Sequence, residues 1–126
     1  MTDAIITALR TCAAGLHPDE AGVELLISHG GFLGRRDFAG FVHTGTSFSD
    51  GETLMAQIDW QAAISALHDG QLPVSGGERR ILQLAASIAA GFPVGLRETI
   101  PGLDNRNLHL VTTAIRHAAG QHPPHH

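Results

Sequence analysis

Apolar residues recur along this chain at intervals of three and four far more often than at intervals of two, and that period predicts helices. Near the start, Ile5, Leu9 and Cys12, with Leu16 just beyond, line one face of a helix over residues 2–14; Thr2 is placed to cap it and Gly15 to stop it. A second helix is expected from His17-Pro18-Asp19-Glu20, because proline suits a first turn and the acids complement the positive end of the helix dipole. Val23, Leu26 and Ile27 turn inward along it, and Gly30-Gly31 ends it. Phe38, Phe41 and Val42 predict a short helix over residues 35–42, with Phe32 and Leu33 packing ahead of it. Four of the five phenylalanines fall between positions 32 and 48, so the core is expected to be widest there.

Residues 43–52, HTGTSFSDGE, cluster Gly, Ser, Thr and Asp and read as a loop. Leu54 to Ile58 reads as a short strand or as a helical lead-in, with helix the favoured reading. Asp59 then caps a helix whose stripe is Trp60, Ile64 and Leu67, and Asp69-Gly70 closes it. The clearest helix spans residues 75–90. Ser75 with Glu78 three residues on forms a capping box, Ile81, Leu84, Ala85 and Ile88 make the stripe, and Gly91 ends it. After a Pro- and Gly-punctuated link, Asp104 caps a last helix expected to face Leu108, Val111, Ile115 and Ala118 inward, with Gly120 as its stop.

The pattern predicts an all-α fold: one compact domain over residues 1–120, built as a bundle of five or six short helices that cross at steep angles. One short strand or extended link is allowed near 54–58 or 93–97, and residues 121–126 form a flexible His/Pro tail.

Composition narrows the function classes. All eight basic residues are arginine and twelve acids outnumber them, giving a net charge of −4, which argues against a nucleic-acid partner held by phosphate neutralisation. No apolar run reaches the roughly 20 residues of a membrane span. Asp3 stands where a secretory signal carries positive charge, so a cytoplasmic location and no membrane partner are expected. Cys12, the single cysteine, is read as a buried thiol.

Three groups of residues invite chemistry. Ser75, Gly76, Gly77, Arg79 and Arg80 place backbone amides at a helix start beside two guanidiniums, an arrangement suited to holding a phosphate or carboxylate. His43, Ser47, Ser49, Asp50 and Glu52, with His29 and His68 folded nearby, supply the residue types of a small hydrolase or metal enzyme, but no nucleophile elbow accompanies them. Nine histidines, at 17, 29, 43, 68, 109, 117, 122, 125 and 126, show no H-x-x-x-H on an expected helix and no cysteine partner, so no metal or other cofactor is expected.

Residues 74–104 resemble the stretch of ABC ATPases from the signature motif to the loop after the Walker B strand. Ser75-Gly76-Gly77-Glu78 stands for the signature, residues 94–98 for the Walker B strand and its acid, and Gly102-Leu103-Asp104 for the following loop. The family's phosphate loop needs a lysine, and this chain has none; its metal-holding aspartate falls on Arg97 here, and no switch histidine lies at the expected place. The resemblance therefore implies no ATP hydrolysis. LPVSGGERRILQLAAS followed by GLDNRN is also similar to small proteins of GC-rich bacteria, a likeness that brings no activity with it.

The leading functional expectation is a non-enzymatic helical module that acts by protein contact, as a homodimer or as an accessory subunit. Its motivation is the amount of alanine and short apolar side chain distributed over several helices, more than a small monomer readily hides. A small enzyme around the 43–52 loop, and anion or nucleotide binding without turnover at residues 75–80, are the alternatives.

Overall fold

The structure, a computed structural model, describes residues 3–47 and 49–121. Thr2, Phe48 and the tail beyond Gln121 lie outside the described residues, and with them the expected Thr2 cap and the flexibility expected of the tail. In chain order the elements are α1 (Asp3–Ala13), α2 (His17–His29), β1 (Val42–Thr46), β2 (Leu54–Ile58), α3 (Trp60–His68), α4 (Gly76–Ala90), α5 (Leu96–Thr99) and α6 (Asn105–Ala118). Two 3-10 turns, Ala39–Phe41 and Ile100–Gly102, complete the path.

Helix α2 is the centre of the assembly, packed on α4, on α6 and on α1. Its sequence explains that position, since Ala21, Val23, Leu25 and Leu26 are buried and even Gly22 is covered. Gly22 faces α4 so closely that a Cβ there would stand 2.5 Å from the Ala89 Cβ and 2.9 Å from the Ala85 carbonyl oxygen. The missing side chain is what lets the two backbones approach. Across the crossing α4 contributes Ile81, Leu82, Leu84, Ala85 and Ala86, all buried. Pro18 stands in the first turn of α2, and Gly30 (φ 81°) ends it with its N–H on the Leu26 carbonyl. Arg106 from α6 donates to the carbonyls of Ser28 (3.1 Å) and His29 (2.9 Å), filling acceptors that the last turn of a helix leaves open.

Both well-signalled caps form as the sequence predicts. Ser75 Oγ accepts from the Glu78 N–H and Glu78 Oε1 accepts from the Ser75 N–H, while Asp104 Oδ1 accepts from the Asn107 N–H at 2.7 Å. Asp59 caps α3 through the Ala62 N–H.

The all-α expectation needs correcting, because β1 and β2 pair as a two-stranded antiparallel sheet running from Val42↔Ile58 to Thr46↔Leu54. Leu54–Ile58, favoured as helix, is therefore a strand, and the first residues of the presumed 43–52 loop are its partner. Tertiary packing decides this: β2 lies on α1 with Ala56 and Ile58 buried, and β1 completes its hydrogen bonds from the solvent side. The helix expected over 35–42 becomes a run of tight turns closed by i to i−3 bonds, among them Phe38 N to Arg35 O and Phe41 N to Phe38 O. Phe32 and Phe38 are fully buried with ring centroids 5.4 Å apart, and Phe41 meets Phe38 edge-on at 5.5 Å. The aromatic cluster expected here thus forms without a regular helix. In the 93–97 link no strand forms; the chain turns into the short α5 instead.

The last helix is rotated from its expected setting. Asn107, Val111 and Ala114 are buried against α2 and α4, whereas Leu108 and Ile115 face outward, 41% and 53% exposed. Leu16 is also exposed instead of extending the α1 face. Among the described residues, no helix is long and apolar enough to cross a membrane.

Candidate functional site

The five residues proposed for anion binding lie at one corner, but not as a dedicated cradle. Gly76, Arg79 and Arg80 line a groove of about 420 Å³ together with Gln83, residues 93–95, Glu98 and Thr99. The Arg80 guanidinium lies against Gly76 and Gly102, and a Cβ at either position would crowd it. Ser75 and Gly77 are not among the lining residues: Ser75 is engaged in its cap, and Gly77 faces Asn107 of α6. Glu98 places a carboxylate in the same groove as the two arginines, and Glu78 already supplies negative charge to the start of α4. The Glu78 carboxyl is held below its ordinary range by the Ser75 backbone N–H, with a further contribution from Arg35, whose guanidinium is 3.5 Å away. Residues 94–98, which stand for the Walker B strand in the ABC ATPase resemblance, run as a link into α5.

Residues 43–46 belong to β1, and the polar groups of the described residues that follow bond to one another between the strands. Asp50 accepts from the Thr53 hydroxyl and from the N–H groups of Thr53 and Glu52, both at 2.9 Å, and these bonds, the hydroxyl's foremost, hold its carboxyl down at about 2. Ser47 Oγ lies 2.7 Å from Ser49 Oγ, and the Ser47 N–H donates to Thr53 O. His43 pairs with Asp59, the α3 cap, at 3.1 Å. His29 is elsewhere, at the end of α2, where its Nδ1 accepts from the Gly31 N–H at 3.1 Å and its ring rests on Phe32. Burial pushes the His29 pKa down, with Arg106 adding to that effect. The alternative enzyme site is thus not gathered around one pocket with His29.

A third constellation was not visible in the local sequence. His17 and Glu20, one turn apart at the start of α2, meet His117 from the last turn of α6. The Glu20 Oε1 atom lies 3.3 Å from His17 Nδ1 and 3.0 Å from His117 Nε2, and these three ligand atoms all lie within 4.8 Å of one another. The other oxygen, Oε2, accepts from the Gly15 N–H at 2.9 Å, which fixes the carboxylate. That backbone bond, followed by the His117 bond, pulls the Glu20 pKa down to about 2. The two imidazoles are tilted by 58° with centroids 6.5 Å apart, so both rings present nitrogen to the carboxylate without stacking. Two imidazoles and one carboxylate constitute a donor set for a zinc-class ion. The only sequence signal was the i, i+3 spacing of His17 and Glu20.

Comparison of the chain with protein-family models, with curated proteins and with solved structures finds no match in any of the three.

Proposed function

We propose that this protein works by contact with protein, and that two copies pair across the outer face of α6. The observation carrying this reading is the row Leu108, Thr112, Ile115 and Ala119. These residues are spaced by four, three and four along one side of the helix, all exposed, while the opposite side is seated on α2 and α4. The segment leading into α6 adds exposed Leu96 and Ile100, 57% and 38% exposed. Two large aliphatic side chains seven residues apart, with small ones between and after them, suit an isologous pairing of antiparallel helices. Leu108 of each copy then meets Ile115 of the other, and Thr112 lies near the twofold axis.

Size bears on affinity. A helix of 14 residues is about 21 Å long and about 10 Å across, so its outer face contributes on the order of 200 Å² per copy. That is well below the roughly 800 Å² per partner of a standard stable interface, so a weak, concentration-dependent dimer is expected. Sedimentation velocity across a dilution series tests the reading. The wild type should shift toward a dimer as concentration rises, and Leu108→Glu with Ile115→Glu should remain monomeric with an unchanged circular dichroism spectrum. A wild type that stays monomeric throughout would overturn it.

A further inference from the structure

We infer that His17, Glu20 and His117 form a binding site for a single divalent zinc-class ion that clamps the end of α6 to the start of α2. The distances suit this role. With ligand atoms about 2.0–2.1 Å from a tetrahedral zinc, neighbouring ligand atoms stand about 3.3–3.4 Å apart. Oxygen Oε1 of Glu20 is already 3.3 Å from one imidazole nitrogen and 3.0 Å from the other. An ion therefore enters by small displacements of the same three atoms, each imidazole offering it a deprotonated nitrogen.

The support around the ligands is equally specific. The Gly15 N–H anchors Glu20 through its second oxygen, leaving Oε1 directed at the rings. Gly120, just past α6, brings the chain against the His17 ring, since a Cβ there would lie 3.5 Å from its Cδ2. The ligands belong to elements in firm contact, because α2 and α6 pack along their length. His117 and Glu20 are largely sheltered, with 18% and 23% of their side chains exposed, whereas His17 is about half open at 47%. Three protein ligands leave a tetrahedral ion one further position, which a water molecule can fill. Nitrogen and carboxylate donors select zinc or a neighbouring transition metal over magnesium and calcium, which prefer all-oxygen shells.

The test uses the full chain with His122, His125 and His126 changed to alanine, so that the tail histidines cannot bind. Equilibrium dialysis against zinc with metal analysis should give one ion per chain. A hundredfold excess of free zinc over Kd should raise Tm by about 10 °C. Cobalt in place of zinc should give the visible absorption bands of a four-coordinate site. Glu20→Gln, which keeps an acceptor for the Gly15 N–H, and His17→Gln at the open edge should each weaken zinc binding at least tenfold while retaining the circular dichroism spectrum. The inference is overturned if the tail-substituted chain takes up no stoichiometric zinc, or if these substitutions leave uptake unchanged. Binding seen only in the chain that keeps its tail histidines also overturns it.

Discussion

Replacing Gly22 by alanine tests the central packing of the fold with a single carbon atom. In an exposed helix the change would stabilise by about 1 kcal/mol, because glycine is the poorer helix former. Here the new Cβ would lie 2.5 Å from the Ala89 Cβ and 2.9 Å from the Ala85 carbonyl oxygen, both closer than such contacts occur. The obstructing atoms belong to the α4 backbone and to a Cβ fixed to it, so no flexible side chain can swing aside. The helices must separate by about 1 Å, in an interior whose packing is felt at the scale of one methylene. Separation loosens the layer formed by Ala21, Leu25, Leu26, Leu82, Ala85 and Ala86, all buried. Overpacking of this kind costs about 1–3 kcal/mol. Two such contacts against backbone-fixed atoms put the cost in the upper half of that range, about 2–3 kcal/mol, and set against the helix gain this leaves a net loss of about 1–2 kcal/mol. For 126 residues that lowers Tm by about 4–8 °C. Urea unfolding followed by far-ultraviolet circular dichroism should show a lower midpoint with an unchanged slope. Gly34→Ala, where an added Cβ meets nothing within 4 Å, is the control and should be close to neutral. A Gly22→Ala protein as stable as wild type would refute the close crossing of α2 and α4.

Other expectations follow from the caps, the core and the titrating groups. Ser75→Ala removes the acceptor of the Glu78 N–H and should destabilise by about 1 kcal/mol in the same unfolding assay. Leu82→Ala, in a fully buried position, should cost about 2–5 kcal/mol, and a near-neutral result would mean that α4 is not seated as described. Stability should fall on acidification in two stages. His29 has a depressed pKa when folded, so the unfolded chain binds its proton first and stability is lost as pH drops below about 6.5. Glu20 is held at about 2 against an ordinary 4.5, so its contribution is present above 4.5 and is lost between there and about pH 2, together with those of the likewise lowered Asp50 and Glu78. Midpoint denaturation against pH measures both, and His29→Gln should remove the upper stage.

Which parts of this were legible in the sequence follows from where the information resides. The starts of α3, α4 and α6 were readable because a cap is a local device: Asp59, Ser75 with Glu78, and Asp104 each bond within three residues of themselves. The hairpin was not readable, because β1 leaves His43, Thr44, Gly45 and Thr46 exposed and so carries no alternating apolar signal. Only its pairing with β2, whose buried Ala56 and Ile58 rest on α1, makes it a strand. The facing of α6 was ambiguous for a different reason. Leu108, Leu110, Val111, Ala114, Ile115 and Ala118 offer two overlapping stripes, and the choice is made by contacts with α2, among them Arg106 on its last carbonyls. His117 stands 97 residues from Glu20, so no local spacing rule would join them. The groove beside Arg79 and Arg80 was foreseen as to its arginines but not as to Glu98, which arrives from α5.

Pairing through α6 is tested most directly by a cross-link at its centre. In a Cys12→Ser background, Thr112→Cys places a single thiol midway between Leu108 and Ile115, beside the proposed twofold axis. Mild oxidation at high protein concentration should then give a disulfide-linked dimer in high yield, whereas Arg79→Cys, exposed on a different helix, should give little. Equal cross-linking at the two positions, or none at position 112, would contradict the pairing.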